Sequence, residues 1–572
     1  MWGQNWRNDV WDRLDQPWDV VIVGGGITGA GILREATRAG LRALLVEQND
    51  FAFGTSSRSS KLIHGGLRYL KEGQFTVTMA SVQEREMLQR VAPGMVDPLG
   101  FLITSEKRGG QWKEQLLFEF GLTFYDLIAQ QWNHTFYEPY ELQMLAPRLK
   151  VNDLAGAFHY GDAQTDDARL VLRVLREAVQ DGGTAVNYTR AIQLLRHENE
   201  VVGVQLHDCV NQRKVDVRAK VVINATGAWA DQLRTQMGHE AKIRPLRGSH
   251  LVFAQWRLPV AQAVSFPHPQ DGRFIFIFPW DGVTLIGTTD LDHAGELDDE
   301  PTISGEEIAY LMAAIESRYP SLGISLDDII STFAGVRPVI DTGKDDPSKE
   351  SRDHIVLDEN GLLTITGGKL TTFRVIAQDA LKAVRDRLPE MAALDEDVPV
   401  FDEIVDELPT HLPEQVRVRL NGRFGHDSLP LVEAAQAGEL EQIPGTTALW
   451  AELRWAARAE GVVHLEDLLL RRVRLGLLLP LGGAHWQDQI RAICQDELGW
   501  DDATWNEEWV AYQLHWHTHY SLPDLTTIPD WRPMAIPPVR EVEGGNGRYL
   551  LGAMLAGLAA LLFGFYWWRR SE

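Results

Sequence analysis

Three glycines and an acid in the first 50 residues have the types and spacing that bind a nucleotide. An apolar run at 20 to 23 leads into Gly24-x-Gly26-x-x-Gly29, and a second apolar run ends at Glu47. Glycine lets the backbone turn tightly beside a pyrophosphate, the N-terminus of the following helix attracts the phosphate charge, and the acid accepts a hydrogen bond from a ribose hydroxyl. The segment therefore predicts a dinucleotide site.

Three further segments suit a bound cofactor. Residues 51 to 70 are dense in Ser, Thr and Gly, so they suit pyrophosphate and ribityl oxygens, although this composition is also typical of a solvated loop. The strand-like KVVINATG ends at small residues, where a backbone can approach a ligand closely. A Gly-Gly-Lys turn between a strand and a helix places Lys369 at a helix N-terminus, which suits an anion or an electron-rich ring edge.

These segments belong to a series of motifs that resembles one family. GTSSRSSKLIHGGLRYL, VVIVGGGITGAGI, INATGAWAD, RGSH, LIGTTD, FAGVRPVI, SRDH and GGKLTTFR are similar to motifs of the FAD-dependent, quinone-linked glycerol-3-phosphate dehydrogenases. The resemblance implies an α/β fold (α+β overall). A Rossmann-like FAD-binding domain of the glutathione-reductase type would be interleaved with a mostly antiparallel substrate domain and followed by a helical C-terminal domain.

The family pattern also implies the residues of the site. FAD would contact Gly24, Gly26, Gly29 and Glu47 through its pyrophosphate and ribose, Thr55, Ser56, Ser57 and Ser60 along the flavin path, Ala225 and Gly227 on the adenine side, and Gly367, Gly368, Lys369, Leu370 and Thr371 at the isoalloxazine ring. Substrate binding and catalysis would use Arg68, His250, Arg337, Arg352 and Lys369.

Chemistry divides the roles among these side chains. Bidentate guanidiniums suit a phosphate dianion, but their pKa is too high for them to act as a base. His250 is therefore the expected proton acceptor. Lys369 would stabilise negative charge on the reduced flavin, and the alternative is that it is a surface lysine at a turn.

The resemblance implies oxidation of sn-glycerol 3-phosphate to dihydroxyacetone phosphate, with hydride transfer to FAD and electrons passed to membrane quinone. The alternative enzyme is an FAD oxidase that uses O₂ on glycerol phosphate or on a small amine such as glycine or sarcosine. A third alternative is a non-catalytic flavin-binding scaffold. Three arginines in the expected site favour a phosphate over an amine.

Composition excludes several classes of protein. The 572 residues include 55 basic and 80 acidic side chains, and the formal charge of −25 argues against a nucleic-acid partner. Two cysteines exclude a disulfide framework and a cysteine metal cage. The alternating His515, His517 and His519 lack a common metal-ligand spacing and a clear acidic partner. We therefore expect no metal site, and a reducing compartment.

The predicted organisation has five segments. They are an N-terminal helix at 1 to 17, the interleaved FAD and substrate domains at 18 to 395, a helical domain at 396 to 521, a Pro/Gly linker at 522 to 548 and a transmembrane anchor at 549 to 568. The first helix carries apolar residues at helical spacing, which favours packing on the first domain over an interfacial membrane helix.

The last 20 of these residues, Tyr549 to Trp568, contain no charged side chain and would span about 30 Å as a helix, which matches a bilayer core. A buried helix of a soluble domain is the alternative. Gly552, Ala556, Ala560 and Gly564 fall four apart, a spacing that lets two membrane helices approach closely. No export signal precedes the first domain. We therefore expect a homodimer anchored in the lipid bilayer, with its catalytic part on the cytoplasmic face of a bacterial inner membrane.

Overall fold

Two β-sheets form the framework of the fold. The computed structural model describes residues 2–3, 5–66, 75–107, 119, 121–123, 125–126, 134–343, 353–405 and 407–537. Its strands are β1 (Trp18–Val23), β2 (Ala43–Val46), β3 (Leu62–Ile63), β4 (Val96–Glu106), β5 (Thr135–Tyr137), β6 (Leu154–Thr165), β7 (Thr184–Val186), β8 (Thr189–His197), β9 (Glu200–Asp208), β10 (Lys214–Asn224), β11 (Ile243–Ala254), β12 (Ala263–Pro267), β13 (Phe274–Trp280), β14 (Val283–Gly287), β15 (Leu291–Asp292), β16 (Ile329–Ile340), β17 (His354–Glu359) and β18 (Leu362–Gly367). Its α-helices are α1 (Trp6–Trp11), α2 (Ile27–Arg38), α3 (Phe75–Val91), α4 (Pro139–Leu145), α5 (Asp167–Gln180), α6 (Ala230–Gln236), α7 (Gly305–Arg318), α8 (Phe373–Ala383), α9 (Glu414–Phe424), α10 (Ser428–Ala434), α11 (Trp450–Ala459), α12 (Leu475–Leu478), α13 (Gln487–Leu498) and α14 (Asp502–His519).

The first sheet carries the predicted dinucleotide unit. Its strand order is β17-β18-β10-β1-β2-β7, and the five strands from β18 to β7 run parallel. Helix α2 packs against both α5 and α8, and each of these helices packs against strands of the sheet. Every residue of β2 is buried, because apolar runs suit the centre of a parallel sheet.

The second sheet is mostly antiparallel and carries the predicted substrate residues. Its order is β15-β11-β14-β13-β12-β4-β6-β3, with β16 paired to β11 and β5 paired to β6, and only the described β12–β4 pair in this sheet is parallel. The apolar runs at 274 to 280 and 283 to 290 predict strands, and the segment near 305 to 318 predicts a helix. The first run forms β13 and the helix is α7, whereas the second run is a strand only as far as Gly287.

The chain passes repeatedly between the two sheets. Strands of the first sheet come from 18 to 46, 184 to 224 and 354 to 367, whereas strands of the second come from 62 to 165 and 243 to 340. Because the chain alternates between the sheets, segments from both sheets can contribute to one site. The sequence pattern from about 75 to 150 predicts helix, and the structure has α3 and α4 there but also β4 and β5.

The helical C-terminal region begins later than its predicted boundary at 396. Val400 and Phe401 belong to the apolar core of the first sheet, and the Asp402 carboxylate pairs with Arg34 and Arg38 of α2. Helices α9 to α14 follow from Glu414. The chain therefore stays with the nucleotide half through 402, because these apolar side chains complete its core.

The sequence HLEDLLLRRVRLGLLLP at 464 to 480 predicts one apolar helix that contains three arginines, but in the structure this helix is broken. Asp467–Arg472 forms a π-helical turn, Arg474 takes the left-handed conformation at φ 65°, and the short α12 follows. Because of this break, Arg471, Arg472 and Arg474 all reach buried carboxylates. A regular helix would have distributed the three side chains around its surface. The physical reason for the difference is therefore ion pairing inside the protein.

Both ends of the compact unit, which extends to Ala535, differ from prediction. Helix α1 is shorter than 1 to 17, but Trp2, Trp6 and Trp11 are buried in the first core, which confirms the packed interpretation. The first half of the predicted linker packs against the folded protein, because Trp531 belongs to the apolar core around α7. Among the described ranges, no helix is long and apolar enough to cross a membrane, and the predicted anchor at 549 to 568 lies outside them.

Candidate active site

The turn between β1 and α2 has the shape of a phosphate cradle. Gly24 has φ 116°, and a Cβ there would lie 2.5 Å from the Ala225 carbonyl oxygen. A Cβ on Gly29 would lie 1.9 Å from the Gly24 carbonyl oxygen, so only glycine fits at either position. Gly26 is the N-cap of α2 and has no side chain to cap the helix, so an anion beside it would meet the helix N-terminus. The turn thus fits an anion of pyrophosphate type.

Glu47 follows β2 and is already fixed by the backbone. Its Oε2 accepts a hydrogen bond from the Gly25 amide at 2.6 Å, and its Oε1 accepts one from Asn49 at 2.9 Å. Burial raises the pKa of Glu47, while these amides oppose the rise. A carboxylate held at the end of β2, beside the glycine turn, is placed where a ribose hydroxyl would meet it.

The hydroxyl-rich segment packs inside the protein instead of forming a solvated loop. Thr55–Ser57 is a 3-10 turn, and the Ser56 Oγ accepts a hydrogen bond from the Ile27 amide at 3.0 Å. The Thr55 hydroxyl donates to the Val336 carbonyl of β16, and the Ser57 hydroxyl donates to the Phe53 carbonyl at 3.3 Å. The segment therefore joins the glycine turn to the second sheet.

On the far side of the site, the Gly-Gly-Lys turn follows β18. Gly367 and Gly368 have φ of 81° and 76°, and Leu370–Thr372 forms a 3-10 turn that leads into α8, as the sequence predicts. The Thr371 hydroxyl bonds to both the amide and the carbonyl of His64 at 3.2 Å. These contacts bring the predicted ring-binding turn against the hydroxyl-rich segment. The Lys369 Nζ lies 3.1 Å from the Ser81 Oγ of α3.

The predicted adenine-side residues lie at the end of β10. The Ala225 amide donates to Val23 at 2.8 Å, and Gly227 has φ 60° and accepts a hydrogen bond from the Thr366 hydroxyl at 3.1 Å. Since β1, β10 and β18 are parallel neighbours, their carboxyl ends form one edge of the sheet. The glycine turn, Ala225 and the Gly-Gly-Lys turn therefore meet along that edge.

His250 stands at the centre of β11 and is buried. Its ring stacks on Phe333 of β16 with centroids 4.5 Å apart, and its Nε2 lies 3.0 Å from the Ser60 Oγ. Gly287 of the neighbouring strand β14 is paired with His250, and a Cβ on Gly287 would lie 2.2 Å from the imidazole. Burial first, and then the charges of Lys61 and Arg337, lower the pKa of His250 to about 3. The imidazole is therefore neutral at physiological pH, the protonation state in which a histidine has a nitrogen lone pair for a proton.

Arg337 lies on β16, on the same face of the strand as Phe333. Its Nη2 donates to Asp290 at 2.9 Å and to the Thr289 carbonyl at 3.1 Å. Gly248 leaves the room, since a Cβ there would lie 2.8 Å from that nitrogen. A second guanidinium, that of Arg273, pairs with Asp290 at 3.1 Å. The carboxylate thus orients Arg337 without burying it, and about a quarter of its side chain stays exposed, at 26%.

The other two predicted arginines, Arg68 and Arg352, lie outside the described residues. Among the alternating His515, His517 and His519, His515 does have acidic neighbours, which corrects the expectation from the sequence. Its Nε2 lies 3.2 Å from Glu300 and its Nδ1 lies 3.5 Å from Glu466. Within the described part of the chain, no group of three or more suitable side chains could hold a metal ion.

Sequence reasoning missed four residues that shape this site. Lys61 lies in a segment whose composition is typical of a solvated loop, yet its side chain is fully buried beside Phe333. Phe333 and Gly287 hold the His250 ring, and Asp290 holds Arg337. A lysine in a Ser/Gly-rich segment gives no local signal of burial, and the other three are recognisable only once strands β11, β14 and β16 are paired.

Comparisons with known proteins agree with this geometry. A family profile described as FAD dependent oxidoreductase matches residues 19–374, and one described as the C-terminal domain of alpha-glycerophosphate oxidase matches residues 365–505. The chain is 34% identical over 530 residues to an aerobic glycerol-3-phosphate dehydrogenase of Staphylococcus aureus (strain bovine RF122 / ET3-1), covering 87% of this chain and 93% of that one. The chain belongs to the FAD-dependent glycerol-3-phosphate dehydrogenase family.

Two more relatives support the assignment. An aerobic glycerol-3-phosphate dehydrogenase of Bacillus subtilis (strain 168) is 39% identical over 388 residues, which are 66% of this chain and 69% of that one. The crystal structure of a glycerol-3-phosphate dehydrogenase from Bacillus halodurans complexed with FAD superposes with a TM-score of 0.71 at 27% identity, covering 95% of this chain and all of that one. The predicted cofactor, FAD, and the mixed α/β fold with a helical C-terminal region are confirmed.

Proposed function

We propose that this protein oxidises sn-glycerol 3-phosphate to dihydroxyacetone phosphate and passes the electrons to a membrane quinone. The observation that carries the proposal is the neutral, buried His250 in the same strand pair as the partly exposed Arg337. FAD, when bound, would supply the flavin ring that accepts the hydride from C2 of the substrate. The nucleotide half that holds FAD is proposed to be of the glutathione-reductase type.

The residues of this chain have separate tasks in the proposed reaction. Arg337 binds the phosphate dianion, for which a guanidinium is the best-suited side chain. His250 takes the proton of the C2 hydroxyl at Nε2, the nitrogen that lies beside Ser60. Lys369 adds positive charge at the Gly-Gly-Lys turn. Arg68 and Arg352 are proposed as further phosphate ligands from the family pattern.

Anaerobic mixing of the purified holoenzyme with sn-glycerol 3-phosphate tests the donor. We expect the visible absorbance of the oxidised flavin to bleach with glycerol 3-phosphate and to persist with glycine or sarcosine. Bleaching by an amine and not by glycerol phosphate would overturn the proposal. The acceptor is tested separately by reoxidation, in which a short-chain ubiquinone should outcompete O₂. Preferential reoxidation by O₂ would favour the oxidase alternative, to which the match with the alpha-glycerophosphate oxidase domain also points.

We also propose that 549 to 568 anchors a homodimer on the cytoplasmic face of a bacterial inner membrane. The length of this uncharged stretch and its spaced small residues support the proposal. Truncation after about Arg540 should leave flavin reduction intact and release the protein from membranes. Membrane retention of the truncated chain would place the attachment elsewhere. Replacement of Gly557 and Ala560 by Ile should shift detergent-solubilised protein toward monomer, and an unchanged dimer would exclude the stripe as the contact.

A further inference from the structure

Lys61 is a buried cation to which the proposed reaction assigns no role. Its side chain has no exposed surface, and its Nζ lies 2.9 Å from Asp167 and 3.1 Å from the Ser57 carbonyl. The ammonium also lies 4.9 Å from the ring centre of Trp280 and 4.8 Å from that of Phe333. Fully buried lysines are rare because desolvation of an ammonium is costly, so a lysine kept here needs an explanation.

The contacts of Lys61 connect it to His250 along two paths. Phe333 touches both side chains, since its ring stacks on the imidazole at 4.5 Å and also faces the ammonium. The backbone gives the second path, because Ser60 precedes Lys61 and its Oγ lies 3.0 Å from the His250 Nε2. A change at Lys61 would therefore reach the proposed proton acceptor from two directions.

The pair of Lys61 with Asp167 also fixes the segment that carries Ser60. The Asp167 Oδ2 accepts hydrogen bonds from the Ser59 amide at 2.9 Å and from the Ser59 hydroxyl at 2.8 Å. Arg474 of the C-terminal region completes the cluster, with its Nη2 2.8 Å from the Ser57 carbonyl and 3.1 Å from Asp167. Alternate residues of one segment, Ser57, Ser59 and Lys61, are thus held together by a single buried carboxylate and two cations.

We propose that Lys61 is a positioning residue of the active site, whose buried ammonium fixes the Ser60–His250 hydrogen bond through Asp167 and the Phe333 ring. This role rests on the proposed function of His250 as proton acceptor. It also has an electrostatic side, because a cation next to an imidazole opposes its protonation. The charged groups that act on His250 are Lys61, Arg337 and Asp167, and of these only the carboxylate favours the imidazolium.

Histidine NMR of the holoenzyme labelled at the imidazole Cε1 tests the role without substrate, and H250Q assigns the signal. In the unaltered protein, we expect His250 to keep its neutral chemical shift down to pH 5. In K61M, the signal should move toward the imidazolium position at a higher pH than in the unaltered protein, because one of two opposing cations is gone while burial remains. K61R should restore the unaltered titration. R458M is the control, since it removes an exposed cation that pairs with Glu497, and it should leave the titration unchanged.

Two further readouts complete the test. The rate of anaerobic flavin reduction should fall about 10-fold in K61M while FAD content and the KM for glycerol 3-phosphate stay within about 2-fold, as loss of a positioned proton acceptor predicts. Burial and then Arg474 lower the pKa of Lys61 to about 8, so the His250 signal of the unaltered protein should shift with a midpoint near pH 8 as Lys61 loses its proton. This last measurement needs no variant.

The outcomes separate this inference from the proposed function. An unchanged His250 titration in K61M, or an equal change in R458M, would overturn the positioning role. If K61M does not fold, a His250 signal of the unaltered protein that does not move over the whole alkaline range in which Lys61 loses its proton overturns it. Failure of glycerol 3-phosphate to reduce the flavin would instead overturn the proposed function, while the NMR readouts would still report whether Lys61 acts on His250.

Discussion

Arg471, Arg472 and Arg474 of the C-terminal region differ from Arg337 of the second sheet in how far water reaches them. The first three side chains are at most 1% exposed, whereas that of Arg337 is 26% exposed. Arg472 is bidentate to Asp50 at 2.6 and 2.8 Å, and Arg471 shares the same carboxylate at 2.6 Å. Arg337 has a carboxylate partner too, but it keeps surface for a ligand.

The difference teaches how one residue type serves two purposes. A buried guanidinium whose hydrogen bonds go to protein carboxylates and carbonyls joins segments distant in sequence, here the π-helical turn and the segment that follows β2. A guanidinium that is oriented by one carboxylate and remains accessible can bind an anion from solution. The first kind should therefore control stability, and the second should control substrate affinity.

The largest expected effect is on stability, from Arg472→Met. The change leaves Asp50 buried with one guanidinium fewer, and breaking such a pair costs about 3–5 kcal/mol. The attraction of both arginines outweighs burial and lowers the pKa of Asp50 to about 2, which shows how strongly the charged form depends on them. We expect a clear fall in the urea midpoint, measured at saturating FAD.

Arg458→Met is the matched control in the same region. Arg458 also forms a bidentate pair, with Glu497 at 2.7 and 2.8 Å, but its side chain is 44% exposed. An exposed pair contributes about 0–1 kcal/mol. Equal losses in the two variants would contradict the link between burial and stability.

The next largest effect distinguishes two glycines of the nucleotide turn. Gly29→Ala places a methyl group against the Gly24 carbonyl, so it should destabilise the fold by about 1–3 kcal/mol or more. Gly26→Ala meets only the Ser56 Oγ at 3.1 Å, so the protein should fold but hold little FAD. The flavin absorbance per protein and the apo-protein melting temperature measure the two effects. A full flavin complement in Gly26→Ala would show that the cofactor does not approach this turn.

The smallest effect is a pH dependence in the C-terminal region. Burial alone would lower the pKa of His464, but its hydrogen bond to Glu508 at 2.9 Å and the charges of Asp467, Glu508 and Glu466 together outweigh burial and raise the pKa to about 9. A raised folded-state pKa contributes stability that is complete below about pH 6.5, the unfolded value, and is lost as pH rises through about 9. His464→Gln should flatten the decline of the melting temperature over this range. A decline of the same slope in the variant would exclude His464 as its source.

Local patterns in the sequence predicted the frame of the site. The apolar runs of β1 and β2, the glycine turn between them and α7 follow from periodicity and composition over a few residues. The burial of Lys61 and the break at Arg474 do not, because each depends on a carboxylate that folding brings from elsewhere in the chain. The functional roles of His250 and Arg337 were implied by the family pattern, and the Phe333 and Asp290 contacts that orient them become visible only when the strands are paired.

The central claim is that Arg337 recognises phosphate, and the preference for glycerol 3-phosphate over glycerol tests it most directly. Anaerobic flavin reduction by each compound gives a ratio of efficiencies that isolates the contribution of the phosphate. The account predicts that Arg337→Met lowers this ratio by one to two orders of magnitude, about 1.5–3 kcal/mol, through a higher KM for glycerol 3-phosphate, while Arg472→Met leaves the ratio unchanged. An unaltered ratio in Arg337→Met would contradict the account.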